Sequence, residues 1–244
     1  MNLSHRCLII IIISFISNKG ISQKKTEDQN LLWLRYQLKL SLNPDWQVTQ
    51  EIEERTYWFP WRQHQFLTRT MLNYKLGKGW SAGAGFAYFE QSLPQNPSEK
   101  DHYSLTELRP QLEISYKQNL SEKFELSHRY WSEFRIMEQE DGKFKYTHNR
   151  SRYKLEIGYL PIKQIKLKAF EEIMFNIGSD ITYNVFDQNR LGLGFQYMPF
   201  RNLGFELGYI NWFQQRSSGD EFYNRNIIRF TILHSIDLKN KEKK

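Results

Sequence analysis

Arginines and glutamates at a spacing of two are the residues in this chain whose types and pattern could do chemistry. Glu51, Glu53 and Arg55 follow one another in this way, and Arg109 lies between Glu107 and Glu113. Arg129, Glu133 and Arg135 share one parity, as do Arg150, Arg152, Lys154 and Glu156. Glu172, Arg190, Glu206 and Arg229 continue the pattern. A guanidinium fork pairs bidentately with a carboxylate, so these side chains could form a self-neutralising structural network. If they surround an open space, the arginines could instead bind a small anionic solute. The two signs are nearly balanced, which favours the network.

Hydrolysis is the competing chemistry, in the form of a lipid-modifying enzyme at the outer leaflet of a membrane. It needs a nucleophile and a base. His102, His128, His148 and His234 are available, and Ser104, Ser127, Ser132 and Ser151 lie near some of them. His148 with Ser151 is the best pair. His128 falls on an apolar face, two residues from Tyr130. No G-x-S-x-G elbow occurs, so the reading leans away from an enzyme. The chain has no H-x-x-x-H and no cysteine pair, so neither a metal nor a cofactor is expected. Asp180 and Asp187 could hold a hard cation in a loop, though a solvated loop is the plainer reading. The run Tyr57 to Trp61, "YWFPW", reads as an interface anchor before it reads as a grip for sugar or lipid.

Residues at spacing two share a face only in a strand. The segment "RLGLGFQY" alternates strictly. Leu191, Leu193, Phe195 and Tyr197 take one face, and Arg190, Gly192, Gly194 and Gln196 the other. The two glycines make room for a bulky neighbour, with an arginine from an adjacent strand as the candidate. Period-two alternation returns along the chain. It places eleven strands over 31–42, 45–57, 63–76, 80–91, 104–118, 123–137, 146–159, 164–177, 184–198, 202–214 and 223–238. Several exceed the five or six residues typical of globular strands. Their connections are alternately tight ("NPD", "GKG", "PIK") and longer and polar ("SLPQNPSEKDHY", "GSDITYN", "QQRSSGDEF").

Charges of both signs on one face of strand after strand, with an apolar face opposite, suit a closed barrel in lipid. Closure leaves no unpaired edge in the hydrocarbon. Trp46, Trp80, Tyr116, Tyr159, Tyr197 and Phe200 lie beside the tight turns. Trp58, Trp61, Tyr88, Tyr103, Trp212 and Phe213 lie toward the long loops. Two aromatic belts are expected at the two membrane interfaces.

The 244-residue composition agrees: aromatics reach 16%, yet mean hydropathy is −0.67. That excludes a bundle of membrane helices, each of which needs about 20 apolar residues. The run Cys7 to Ile16, preceded by Arg6 and followed by Gly20 and Ser22, has signal-peptide anatomy. Residues 1–22 are therefore expected to be cleaved, leaving a barrel over 23–238 and a polar tail over 239–244. Cleavage removes the one cysteine, together with Arg6 and Lys19. The net charge then falls from +7 to +5. No basic helix or finger spacing points to nucleic acid.

The fragments "LWLRYQLKL", "EIEERTYW", "ELRPQLEI", "HRYWSEFR", "NRSRYKLEIGYLPI", "AFEEIMFN" and "FDQNRLGLGFQY" together, in this order, resemble the bacterial domain-of-unknown-function family 2490, common among Bacteroidetes. The resemblance covers nearly all of the mature chain. It implies an exported β-barrel of the Gram-negative outer membrane, with no established activity. It carries over no catalytic or binding residue.

The reading is thus an all-β, single antiparallel transmembrane β-barrel. Twelve strands are preferred, because bacterial barrels usually have an even number and Gln23–Asn30 could hold an extra one. The expected role is structural or small-solute transport. The expected partners are outer-membrane lipids, the barrel-assembly machinery and a small anionic solute. The last strand ends at Leu238 without the terminal aromatic that outer-membrane strands commonly present to that machinery.

Overall fold

The structure, a computed structural model, describes residues 25–238. The expected signal peptide and the lysine-rich tail lie outside the described residues. Eleven strands follow in order: β1 (Lys25–Ser41), β2 (Trp46–Tyr57), β3 (Arg62–Gly77), β4 (Trp80–Leu93), β5 (Tyr103–Asn119), β6 (Phe124–Glu138), β7 (Phe144–Ile162), β8 (Ile165–Ile177), β9 (Phe186–Tyr197), β10 (Leu203–Gln215) and β11 (Glu221–Asp237). Each pairs antiparallel with the next, and β1 pairs with β11 to close the barrel.

Twelve strands were expected, and among the described residues there are eleven. Lys25–Asn30 is no extra strand. It is the start of β1, paired without a break from Lys25↔Glu221 to Ser41↔Asp237. An odd count makes the first and last strands point the same way, so this one seam is parallel. It also puts the start of β1 at the long-loop rim and the end of β11 at the tight-turn rim.

The turns work as their residues require. Between β3 and β4, Gly77 (φ 90°), Lys78 (φ 50°) and Gly79 (φ 86°) are all left-handed. Glycine takes that conformation without steric penalty. At the loop side, connections 94–102 and 178–185 are the longest.

Alternation sorts the side chains. Leu191 and Leu193 are 59% and 61% exposed on the outer face. Leu112, Ile114, Tyr130, Ile157, Leu207 and Phe230 are exposed there too. Ring pairs Trp46–Tyr74, Trp80–Tyr116 and Phe124–Tyr159 belt the tight-turn rim. Trp58, Trp61 and Tyr103 are exposed at the loop rim. Trp212, expected in that outer belt, instead points into the barrel and is buried. Its position in β10 has the inward parity, opposite Arg225 and Arg190.

The interior is packed and not only polar. Leu31, Trp33, Tyr57, Phe170, Ile210, Trp212 and Ile227 form one buried cluster, and Leu67, Ala87 and Phe89 another. The space left by Gly192 is filled by the Phe170 ring, onto which a Cβ at Gly192 would fall. An arginine was expected there. The register decides otherwise: Gly192 lies opposite Phe170 on β8, while the arginines of β7 are one strand further away.

Three bulges near the loop rim break the period of two. Register shifts occur at Arg55/Thr56, Arg135/Ile136 and Met174/Phe175. Each leaves one residue of the facing strand without a partner: His64, Thr147 and Asp187. A bulge re-aims side chains, and here His64 and Asp187 turn inward beside inward-facing Gln65 and Gln188, all four buried.

Candidate functional site

Among the described residues the fold gathers charge in the lumen, and it does so in layers. In the middle layer Glu133 takes Arg150 at 2.5 Å and Arg152 at 2.8 Å, with Arg109 at 3.8 Å. Glu172 takes Arg129 at 2.7 Å and Arg152 at 2.8 Å, with Arg190 at 3.9 Å. Toward the loops, Glu107 holds Arg109 at 2.7 Å and Arg135 at 2.5 Å. Glu53 holds Arg55 at 2.5 Å. Toward the turns, Glu51 holds Arg69 at 2.8 Å and Arg35 at 3.5 Å. Glu206 holds Arg229 at 3.0 Å and also Lys168. Glu113 accepts from the Trp131 indole. Glu156 pairs with Lys154 at 2.7 Å and Lys166 at 3.2 Å.

All fifteen residues expected in the network therefore face the lumen. The structure adds what the sequence reading left out: Arg35, Lys39, Arg69, Lys166, Lys168 and Arg225. Among carboxylates it adds Glu125, the bulge residue Asp187 and, near the loop rim, Glu27, which accepts from Gln29. With Arg135 and Lys154 from the strand faces and Lys117 beside Glu125, cations outnumber carboxylates in the lumen. The expected near balance does not hold. Four of the missed cations were legible, since Arg35 and Lys39 alternate with Tyr36 and Leu38, and Lys166 and Lys168 alternate with Leu167. Asp187 was not, because a period-two count runs past a bulge.

Aromatic faces carry part of the positive charge. Arg55 stacks 3.9 Å above Trp33, Arg109 3.5 Å above Phe89 and Arg129 3.9 Å above Trp131. Such contacts are worth more when water is excluded.

The layers differ in space. The middle of the lumen leaves a cavity of about 70 Å³, and the loop-side layer one of about 30 Å³. On the turn side two chambers of about 430 and 310 Å³ open toward the rim. Lys39, Lys154, Lys166 and Lys168 line the second. Lys39 has no ion pair or hydrogen bond among the described residues.

The hydrolytic pairing does not form. His148 faces inward, 3.1 Å from the Arg135 guanidinium, whereas Ser151 faces outward, 3.2 Å from the Tyr130 hydroxyl. Residues three apart on a strand lie on opposite faces. His128 and His234 are also on the outer face, bonded to the hydroxyls of Tyr153 and Tyr36. His102 sits exposed in a loop. Nor do Asp180 and Asp187 make a cation site. Asp180 bonds Ser179 in the loop, and Asp187 is buried against Arg150 at 3.1 Å.

A family model described as "Protein of unknown function (DUF2490)" matches residues 30–223. The chain belongs to that family. Among solved structures, the DUF2490 barrel is similar to the NanC porin, at 13% identity and a TM-score of 0.52, over 83% of this chain and 96% of that one. The outer membrane channel DcaP of Acinetobacter baumannii is matched at 10% identity and a TM-score of 0.37, over 75% of this chain and 79% of that one. A search among curated proteins found no match. At these identities the likeness to NanC is one of fold: a closed barrel with a porin's architecture.

Proposed function

We propose that this DUF2490 protein resides in the outer membrane of a Gram-negative cell and passes small anionic solutes at low conductance. The observation that carries this is the excess of lysine and arginine in a lumen walled by an apolar outer face. A pore with that lining attracts anions and repels cations. The porin-like architecture supports the location. The packed middle layer, where buried ion pairs and Phe170 leave little space, supports slow passage over an open diffusion pore. The turn-side chamber would be where a solute waits, held by Lys39 and its neighbours.

The test is a planar bilayer with the purified protein under a potassium chloride gradient. Small currents with a reversal potential near that of chloride are expected. Cation-selective currents, or no currents while insertion is verified, would overturn the transport reading. Large steady anion currents would overturn the constricted middle layer and show an open arginine-lined pore.

A further inference from the structure

The small cavity in the loop-side layer has a lining of one sign. Arg55, Arg109, Arg135, Arg150 and Arg190 are its charged groups, and no carboxylate lines it among the described residues. Four of the five use another edge on a carboxylate: Arg55 on Glu53, Arg109 and Arg135 on Glu107, and Arg150 on Glu133. Arg190 does not. It makes no hydrogen bond to the described protein, and its Nε is buried without a partner. Its nearest carboxylate, Glu172, is 3.9 Å away and already serves Arg129 and Arg152. Just above, Arg225 is 0% exposed, makes no ion pair among the described residues, and lies over the Trp212 and Tyr223 rings at 4.4 and 4.1 Å. It donates to the side-chain oxygens of Gln29 at 2.7 Å, Gln214 at 2.5 Å and Gln95 at 2.5 Å.

The orientation of the surrounding amides is forced. Arginine has only donors, so Gln95 and Gln214 must turn their oxygens to Arg225, which leaves their NH₂ groups for other partners. Arg55 fixes Gln65 the same way at 2.7 Å, and the Gln65 amide then donates to the Gln91 oxygen at 3.2 Å. Gln91 too is left with a free NH₂. All three glutamines line the cavity. Guanidinium and amide donors thus converge on one space.

We propose that this space holds a small monovalent anion of halide size, a resident counter-ion for Arg190. A buried charge without a close counter-charge is costly, and a water dipole does not neutralise one. The volume of about 30 Å³ exceeds the roughly 10–15 Å³ that a single water needs. It is far smaller than the turn-side chambers and has no room for a multi-atom solute. The site belongs to the resting barrel, whether or not solutes cross it.

Crystals of the protein grown in bromide test this by anomalous scattering. A bromide peak is expected within hydrogen-bonding distance of the Arg190 guanidinium and the Gln214 amide. Unfolding in urea at constant ionic strength gives a second readout. Above the dissociation constant, each tenfold rise in chloride should lower the unfolding constant about tenfold. Replacing chloride with gluconate should remove the effect, and Arg190→Gln should be indifferent to either. A cavity holding only water in bromide overturns the proposal. So does equal stability of the native chain in chloride and gluconate. A bromide peak that persists unchanged in Arg190→Gln marks an adventitious ion only. Should that variant not fold, the peak in the native chain decides.

Discussion

Glu206 shows what one lumen residue holds. It is 1% exposed and faces Lys168, Arg229 at 3.0 Å and Arg35 at 3.8 Å. Glu206→Gln keeps the shape and leaves Lys168 and Arg229 without their carboxylate, and Arg35 with Glu51 and Glu53 alone. A loss of about 3–5 kcal/mol is expected, read as a lower midpoint in a urea refolding titration. Conductance in a planar bilayer should rise as the layer loosens. Gly192 makes a steric case. Gly192→Val places its Cβ on the Phe170 ring, and overpacking of this kind costs about 1–3 kcal/mol. Phe170→Ala in the same chain should relieve part of that loss. The double-mutant cycle should therefore show a non-zero coupling. Strict additivity would mean that the ring does not fill the glycine's space.

At the scale of the element, β9 tests the two faces against each other. Leu193 lies four residues from Tyr197 at the turn-side girdle, about 13 Å along the strand. With the usual tilt of about 40° that puts it close to the middle of an apolar band about 25 Å tall. Leu193→Arg should cost roughly 2–4 kcal/mol. Gln196→Arg, which faces Glu206 across the β9–β10 pairing, should be much milder. Equal effects in the same titration would refute the register. The bulges matter at this scale as well. They put His64 and Asp187 in the lumen, and Asp187 gives Arg150 a second carboxylate beyond Glu133.

At the scale of the molecule, closure makes stability and location one property. With β1 sealed to β11, no strand edge is left open, so the folded barrel should resist detergent. The protein is expected in the outer-membrane fraction, with gel migration that changes on boiling. Recovery from the soluble periplasm would sink the membrane reading. Selectivity belongs to this scale too, since it sums over the lumen. Lys39 has no ion pair among the described residues and lines the turn-side chamber, so Lys39→Glu removes one positive charge and adds a negative one without breaking any of the ion pairs described. The reversal potential should move toward that of potassium, while refolding stability stays close to the native value.

Much of this was legible in the residues alone. The alternation of Leu191, Leu193, Phe195 and Tyr197 with Arg190, Gly192, Gly194 and Gln196 fixes the faces of β9 without reference to any other strand. The same holds for Glu107 to Ser115 and for Arg150 to Glu156. Side-chain direction in a strand is a local consequence of backbone geometry, so the strand faces and their inward charges follow from sequence. The pairing across the barrel does not. Which carboxylate meets Arg152, and why Arg190 meets none at close range, depends on registers that no single strand contains. Phe170 rather than an arginine fills the space at Gly192 for the same reason. Asp187 and His64 turn inward at bulges that need a partner strand in order to exist. The strand count, too, rests on the parallel seam between β1 and β11, where residues nearly 200 positions apart become neighbours. Period two is written in each strand, but the charge excess of the lumen and the cavity beside Arg190 arise only once the sheet is closed.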